Sequence, residues 1–210
     1  MRTLRSSHRL AEDGATQRTL VHPATGRCGR NRFRDPSPTL AGVRIVKLMP
    51  TPAEYADQLE RANDEAIAFA EGCTDEEWRA MVPHEEWPVC ALIHHVAVSH
   101  PMLSGWVDSA LAGEPIEGGI EAINQANAEH AVEFAKVGVA ETVELLRQNG
   151  AAAVTRLRRL QESDLAVTTP FGPAGGQPLS VEQFCKAAIG HPLGHVAHAR
   201  EALGGGGAEA

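Results

Sequence analysis

Three histidines near the end of the chain have the type and spacing that metal binding requires. His191, His195 and His198 fall within eight residues of the stretch Ile189–Ala202, IGHPLGHVAHAREA. The flanking apolar pattern predicts a helix, and a spacing of four places His191 and His195 one turn apart on the same face. Two imidazoles so placed can bind one metal ion. Because a zinc site usually has three or four protein ligands, the pair predicts a further ligand elsewhere in the chain.

That further ligand is predicted to be His95, in a helix expected over about 87–111. His95 lies on the apolar stripe of this helix, whereas His94 lies about 100° away around its axis. The stripe consists of Leu92, His95, Ser99, Met102 or Leu103, and Trp106. Because metal ligands in a bundle come from facing helices, His95 is expected to meet His191 and His195. Three neutral imidazoles would hold a divalent metal and leave a position open for water or substrate.

Apolar periodicity and capping signals predict the helices that would position these ligands. They are Pro52–Gly72 behind an N-cap at Thr51, a short helix opened by the capping box of Thr74 and Glu77, about 87–111, Ile120 to about Lys136, Ala140 to about Leu160, and Val181 to about Leu203 behind the capping box of Ser180 and Gln183. Asn149-Gly150 leaves open whether the run 140–160 is one helix or two. Thr168–Leu179, rich in Pro and Gly, is expected to be a loop. Four main apolar-striped helices and no convincing strand predict an all-α fold, an antiparallel four-helix bundle.

Polar residues on the predicted helices could complete a pocket around the metal. One face of the helix that starts at Ile120 carries Ile123, Asn127, His130 and Phe134. His130 is predicted to be the catalytic group that moves a proton, and Asn127 to contact substrate or to support a ligand from behind. His198 is expected to support a ligand in the same way or to be a plain surface residue. Cys90 and Cys185 are expected to be small buried packing residues.

The charge of the chain is divided unevenly. The net charge is −8, but residues 1–48 carry +7 and residues 49–210 carry −15. An acidic body argues against nucleic acid as a partner. Residues 1–48 are expected to be a disordered basic extension, or sequence translated from a start earlier than Met49; a targeting peptide and a basic arm are the alternatives. Residues 49–204 would form the bundle and residues 205–210 a flexible tail.

Compartment and membrane association follow from what the sequence contains. No apolar run reaches the length of a membrane span, so no membrane partner is expected. The four cysteines are Cys28, Cys73, Cys90 and Cys185, and they form no CxxC pair. Isolated thiols are typical of a reducing compartment, which predicts a cytoplasmic location.

Several of these segments resemble the patterns of the DinB-like family. The segment WPVCALIHH from Trp87 to His95 resembles the family pattern in which a tryptophan precedes a metal-binding histidine by eight positions. The segment GHPLGH that ends at His195 resembles its closing HxxxH helix. Ile123–Asn127 and Leu160–Leu165 lie where the family has similar short runs. The resemblance covers about residues 50–203.

This resemblance implies a four-helix bundle, often dimeric, with a three-histidine site for Zn²⁺, Ni²⁺ or a similar ion. Carried over by position, the ligands would be His95, His191 and His195. Some members are S-transferases or isomerases that use a low-molecular-weight thiol such as mycothiol or bacillithiol. Pro192 inside the HxxxH pattern is a departure from the family, and His198 occupies a position that varies in it.

The predicted function is that of a divalent-metal-binding protein with a three-histidine site, a thiol-dependent S-transferase or isomerase acting on a small molecule. The expected cofactor is Zn²⁺, or else Ni²⁺, with a thiol such as mycothiol as cosubstrate, and the expected assembly is a homodimer. The alternatives are a metal-dependent hydrolase, a non-catalytic bundle that binds or sequesters metal or a small molecule, and a structural dimer whose histidines hold no metal.

Overall fold

The computed structural model describes residues 49–204, and the predictions made for residues 1–48 and 205–210 lie outside the described part of the chain. Its elements are the helices α1 (Pro52–Gly72), α2 (Asp75–Arg79), α3 (Val89–Ala112), α4 (Ile120–Glu133), α5 (Val139–Arg158) and α6 (Val181–Gly204), and the strands β1 (Met81–Val82), β2 (Trp87–Pro88), β3 (Thr168–Phe171) and β4 (Gln177–Ser180). Short 3₁₀ turns at Glu162–Ala166 and Gly172–Ala174 flank β3. No helix in this described region is both long and apolar enough to cross a membrane.

Side-chain caps start three helices where the sequence predicts them. Thr51 Oγ1 accepts a hydrogen bond from the amide of Glu54, whose carboxylate accepts one from the amide of Thr51. The same reciprocal pair is formed by Thr74 with Glu77 before α2, and by Ser180 with Gln183 before α6. Each pair satisfies backbone donors that a helix start leaves free, which explains why these boundaries could be located from sequence.

The four long helices α1, α3, α5 and α6 form a four-helix bundle, which confirms the predicted fold class. α1 and α3 each pack against both α5 and α6. α1 and α5 run antiparallel, because Arg158 pairs with Asp57 while Arg147 pairs with Glu71. α3 and α6 also run antiparallel, because Trp106 lies against Phe184 while His95 lies against His191.

The other two pairs of neighbouring helices run parallel. The Tyr55 hydroxyl donates to Glu182 at the start of α1 and α6, and Glu65 pairs with Arg200 further along both helices. Asn149 contacts Ala97, and Arg156 pairs with Asp108, which orients α5 along α3. The long helices therefore run up, down, down and up in chain order.

α5 is a single helix, which answers the question left open at Asn149-Gly150. Asn149 Nδ2 donates to the carbonyl of Ala97 at 2.9 Å. That carbonyl lies four residues before Pro101, which has no amide to donate to it, so Asn149 replaces the bond that α3 lacks. A Cβ on Gly150 would lie 2.5 Å from the side chain of Asn63, so glycine allows α1 and α5 to approach closely.

A polar layer divides the core of the bundle. One apolar cluster includes Leu59, Leu103, Leu157 and Phe184, and the other includes Ala70, Leu92, Leu146 and Val196. Between them along the helices lie Asn63, His95, His100 and His191. His100 Nε2 and Asn63 Oδ1 are hydrogen-bonded at 3.0 Å, and both side chains are buried.

The prediction of a loop over Thr168–Leu179 is wrong, because β3 and β4 form an antiparallel hairpin there. Pro170 faces Pro178 in its register. A proline is tolerated there because the carbonyl of Pro170 points outward, where it accepts from the amide of Ile116 at 2.9 Å. In a strand the nitrogen and the carbonyl of one residue point to the same side, so the nitrogen of Pro170 also faces away from β4. The missing amide therefore removes no hydrogen bond between β3 and β4. A second, shorter hairpin joins β1 to β2, so Trp87-Pro88 precedes α3 instead of opening it.

We expect Asn149→Ala to lower the free energy of unfolding by about 1–2 kcal/mol, because the buried carbonyl of Ala97 loses its donor. Urea denaturation measures this change. The matched control is the same substitution in a Pro101→Ala background, where the new amide at position 101 can bond Ala97. There the cost of Asn149→Ala should be clearly smaller; equal costs in both backgrounds would contradict the assignment.

Candidate metal centre

α3 and α6 bring the three predicted ligands together. One nitrogen from each of His95, His191 and His195 lies within 4.8 Å of the others. His95 Nε2 and His191 Nε2 are 3.1 Å apart. Ligand nitrogens at about 2.0–2.1 Å from a tetrahedral Zn²⁺ lie about 3.3 Å from one another. The spacing of this pair fits such an ion, and a nitrogen of His195 lies within 4.8 Å of both.

Helix α6, which carries His191 and His195, continues past Pro192. Pro192 is buried inside α6, between His191 and His195, and the helix runs on to Gly204. The two rings still contact each other edge-on, with centroids 4.6 Å apart. The departure from the family pattern at Pro192 therefore leaves the two histidines on one face of α6.

The three rings are neutral at neutral pH. Burial, reinforced by neighbouring imidazoles, lowers the pKa of His95 to about 4 and the pKa of His191 to about 3. Burial also lowers the pKa of His195, although the carboxylate of Glu85 opposes this shift. Neutral imidazole is the form that binds a metal, so the protonation state of the cluster suits a divalent ion.

Unsatisfied ring nitrogens provide a further test of fit. Among the described residues, the buried side-chain nitrogens without a hydrogen-bond partner are His100 Nδ1, His191 Nδ1 and His195 Nδ1. Two of these three rings belong to the cluster. A buried polar atom without a partner costs about 1–3 kcal/mol, and such atoms in native structures call for an unplaced water or ion. These unpartnered atoms are Nδ1, whereas the nitrogens of His95 and His191 that face each other are Nε2, so the fit to a bound metal rests on that close Nε2 pair and on three neutral imidazoles.

Glu85 joins the cluster although the sequence analysis did not single it out. It lies in the turn between β1 and β2, where the amides of Glu85 and Glu86 both donate to the carbonyl of Val82. Glu86 has a φ of 60°, in the left-handed region that non-glycine residues rarely adopt. The turn carries Glu85 Oε1 to 2.6 Å from His198 Nδ1 and 3.2 Å from His195 Nδ1.

The two contacts of Glu85 differ in kind. His198 donates an aligned hydrogen bond, whereas His195 Nδ1 lies 3.2 Å away without the alignment of a hydrogen bond and attracts the carboxylate only when its ring is protonated. Burial raises the pKa of Glu85, but the bond from His198 and the attraction of His195 outweigh it, so the pKa is lowered and the group is a carboxylate. A carboxylate beside a ligand histidine is the arrangement that fixes the tautomer and orientation of such rings.

A cavity of about 420 Å³ opens beside the three histidines. Asn127 of α4 lines it, as does Glu85. His130, predicted to be catalytic, lies outside the set of described residues that line the cavity. Its Nε2 is 3.3 Å from Nδ1 of His94, and its ring centroid is 5.5 Å from that of His95. His130 thus packs behind His95, and its proton-transfer role stays a prediction.

Cys90 and Cys185, for which a packing role is expected, do not reach this site. Cys90 Sγ donates to the carbonyl of Ala135, and Cys185 is buried in the apolar core. Burial raises the pKa of the Cys185 thiol to about 11. The expected packing role agrees with these positions, and neither sulfur is available as a ligand of the cluster.

The fold and the cluster together define a helical-bundle protein with a candidate three-histidine metal site. A family model described as the DinB superfamily matches residues 58–199, so the chain belongs to the DinB superfamily. This confirms the resemblance found in the sequence.

One similar solved structure is that of YfiT from Bacillus subtilis, described as a probable metal-dependent hydrolase with an unusual four-helix bundle topology. The TM-score is 0.62 at 18% sequence identity, and the alignment covers 74% of this chain and 87% of that chain. At this identity the likeness establishes the fold. No curated protein matches the chain.

Acidification is expected to destabilise the metal-free chain. Burial lowers the pKa of His94 and His100, like that of His95, to about 4, whereas histidines in an unfolded chain titrate near 6.5. Unfolding therefore takes up protons between about pH 6.5 and 4. The free energy of unfolding has its full value above about pH 6.5 and falls as the pH drops through this window.

Urea denaturation of chelator-treated protein at stepped pH values measures this slope. His100→Gln, which can keep a hydrogen bond to Asn63, should reduce the uptake by about one proton. A stability that does not change between pH 7 and 4.5 would show that these rings are not buried in neutral form.

Proposed function

We propose that this chain binds one divalent metal ion through His95, His191 and His195 and acts as a metal-dependent enzyme on a small molecule. The observation that carries the proposal is that three neutral imidazoles, one buried and two half-buried, converge where a cavity opens. A metal held by three histidines retains an open position and can acidify a water or a thiol, or polarise a carbonyl. Sequestering a metal without turnover would need no such cavity beside the ion, whereas binding a small molecule without turnover stays the alternative that the activity assays below test.

Hydrolysis is the reaction that the surroundings of the cluster support best. Glu85 lines the cavity as a carboxylate and contacts His195, where it could orient a water and accept its proton. His198 holds the same carboxylate from the other side and is itself partly exposed, so it links Glu85 to solvent. The description of YfiT as a probable metal-dependent hydrolase agrees with this choice.

Thiol transfer or isomerisation is the second candidate. Because Cys90 and Cys185 lie away from the cluster, any thiol used here would come from a cosubstrate such as mycothiol. The open metal position would then bind the thiolate. Zn²⁺ suits an all-imidazole site, and Ni²⁺ does so as well. The homodimer and the cytoplasmic location stay predictions; light scattering during size-exclusion chromatography measures the former.

Metal content tests the site itself. Wild-type protein should carry about one Zn²⁺, Co²⁺ or Ni²⁺ per chain after reconstitution, and His95→Ala and His191→Ala should lose it while the circular dichroism of the helices is retained. His84→Ala, at an exposed position outside the cluster, is the matched control. Elemental analysis gives the stoichiometry, and full occupancy in His95→Ala would refute the ligand set.

A Co²⁺ titration of the metal-free protein measures the role of Glu85. Glu85→Gln should weaken Co²⁺ binding by about 10- to 100-fold, because the amide keeps the shape of the side chain but removes the charge beside His195. Glu201→Gln, an exposed charge removal on α6, should leave the affinity unchanged. Equal affinities for the two variants would mean that Glu85 does not orient the ligand.

Two assays separate hydrolysis from thiol chemistry. Reconstituted protein is given neutral aryl esters and amides without thiol, and separately an aryl electrophile with mycothiol. We expect metal-dependent hydrolysis that is lost in His191→Ala, and His130→Gln in the same assay tests the predicted proton-transfer role. Turnover only in the presence of the thiol would establish the second candidate instead.

A further inference from the structure

We propose that the cavity beside the three histidines binds a neutral, largely apolar small molecule that carries an aromatic group, with its single polar end directed at the histidines. The position of that polar end rests on the metal site proposed above. The preference for an apolar, aromatic body rests on the cavity walls alone, so the two parts can fail separately.

Aromatic side chains form part of the cavity walls. Trp87 comes from β2 and lies edge-on to His95, with ring centroids 5.4 Å apart. Trp106 of α3 and Phe171 of β3 lie edge-on to each other at 4.8 Å. Indole and phenyl faces contribute large apolar contact areas and favour offset or edge-on packing with another ring. An aromatic group is thus the ligand body that these walls contact best.

The remaining walls are aliphatic, and they extend to the rim. Ile123 lines the cavity from α4 and Ala187 lines it from α6. Met102 and Ile120 also line it, and both remain exposed to solvent at 41% and 46% of their surface. Large apolar side chains exposed together at the opening of a cavity indicate a binding site.

The polar groups of the cavity select against charged and sugar-like ligands. Within residues 49–204, no lysine or arginine lines it, and Glu85 is its one charged residue. Away from the histidines, an anionic group would meet the Glu85 carboxylate and no lysine or arginine. Apart from Glu85 and the histidines, Asn127 is the polar side chain that lines the walls. A ligand with many hydroxyl groups would therefore lose hydrogen bonds to water that this cavity cannot replace.

The size of the cavity limits the ligand to one small molecule. A volume of about 420 Å³ lies in the lower part of the range of about 300–1,000 Å³ typical of small-molecule sites. A compound of one to three rings with a short polar arm fits this space. Such a body would cover the aromatic walls while its polar arm reaches the histidines.

The first experiment uses the fluorescent probe N-phenyl-1-naphthylamine, which is neutral and needs no metal. Metal-loaded and metal-free full-length protein should both bind it with enhanced emission. Ile123→Glu and Ala187→Glu, which put a carboxylate into two different walls, should each weaken binding roughly tenfold or more by replacing apolar contact with charge. Their controls, Ala128→Glu and Ala197→Glu, change exposed residues of the same helices outside the cavity lining and should bind as wild type does.

The second experiment tests the direction of the polar end. Acetohydroxamic, benzohydroxamic and 2-naphthohydroxamic acid share one metal-binding group and differ only in their apolar body. Titrated into the Co²⁺-loaded protein and followed by absorbance, they should bind in that order of increasing affinity, with roughly tenfold or more between the first and the last. In Ile123→Glu the affinities of the three acids should become nearly equal, while acetohydroxamic acid still binds.

The outcomes separate this proposal from the proposed function. Equal affinities for the three hydroxamic acids, or probe binding that neither wall variant weakens, would refute the preference for an apolar ligand even if metal is bound. Tighter binding of a sugar-bearing thiol such as mycothiol than of the naphthyl compound would also overturn it. Probe binding that depends on the walls in a chain that never takes up metal would support the apolar class and refute the metal site.

Discussion

Burial of neutral imidazoles in the middle of a helical bundle is the constraint on which the rest of this structure depends. The polar layer between the two apolar clusters removes several rings from water, and each ring nitrogen then needs a partner. His100 Nε2 is bonded to Asn63 while its Nδ1 has no partner, and His94 Nδ1 pairs with His130. His95, His191 and His195 instead turn toward one another, an arrangement that is unfavourable for bare rings and favourable around a cation. The geometry of the layer therefore points to a ligand.

The order of the helices explains why a cavity lies at this layer. α3 and α5 are parallel neighbours, so the chain has to return along the bundle between them. α4 makes that return: near its end His130 contacts His94 at the start of α3, and near its start Ile123 and Trp106 line the same cavity. A crossover helix packs on the bundle less completely than a bundle helix, and α4, as the structure describes it, has no residue in the buried class. The space left beneath it is the cavity.

The features of the fold and the site that could be predicted from sequence are those encoded by neighbouring residues. The i, i+4 spacing of His191 and His195, the stripe that carries His95, and the capping pairs at Thr51 and Ser180 are local patterns, and the structure has all of them in place. The cavity and the β3–β4 hairpin arise from contacts between distant segments, such as the bond from Ile116 to Pro170. Glu85 is one of several acidic residues near Trp87, and no local pattern separates it from Glu86. Only the fold brings it to His198.

The three histidines alone do not determine the reaction, because the same donor set serves hydrolysis and thiol transfer. What separates the two reactions is where the second reactant enters. In the proposed function, water would reach the cluster from the side of Glu85 and His198, which is polar and partly exposed, while the substrate would occupy the apolar side. A thiol cosubstrate would have to share a cavity of about 420 Å³ with the substrate, against walls that offer few hydrogen bonds. The division of the site into a polar side and an apolar side therefore favours hydrolysis of one apolar molecule.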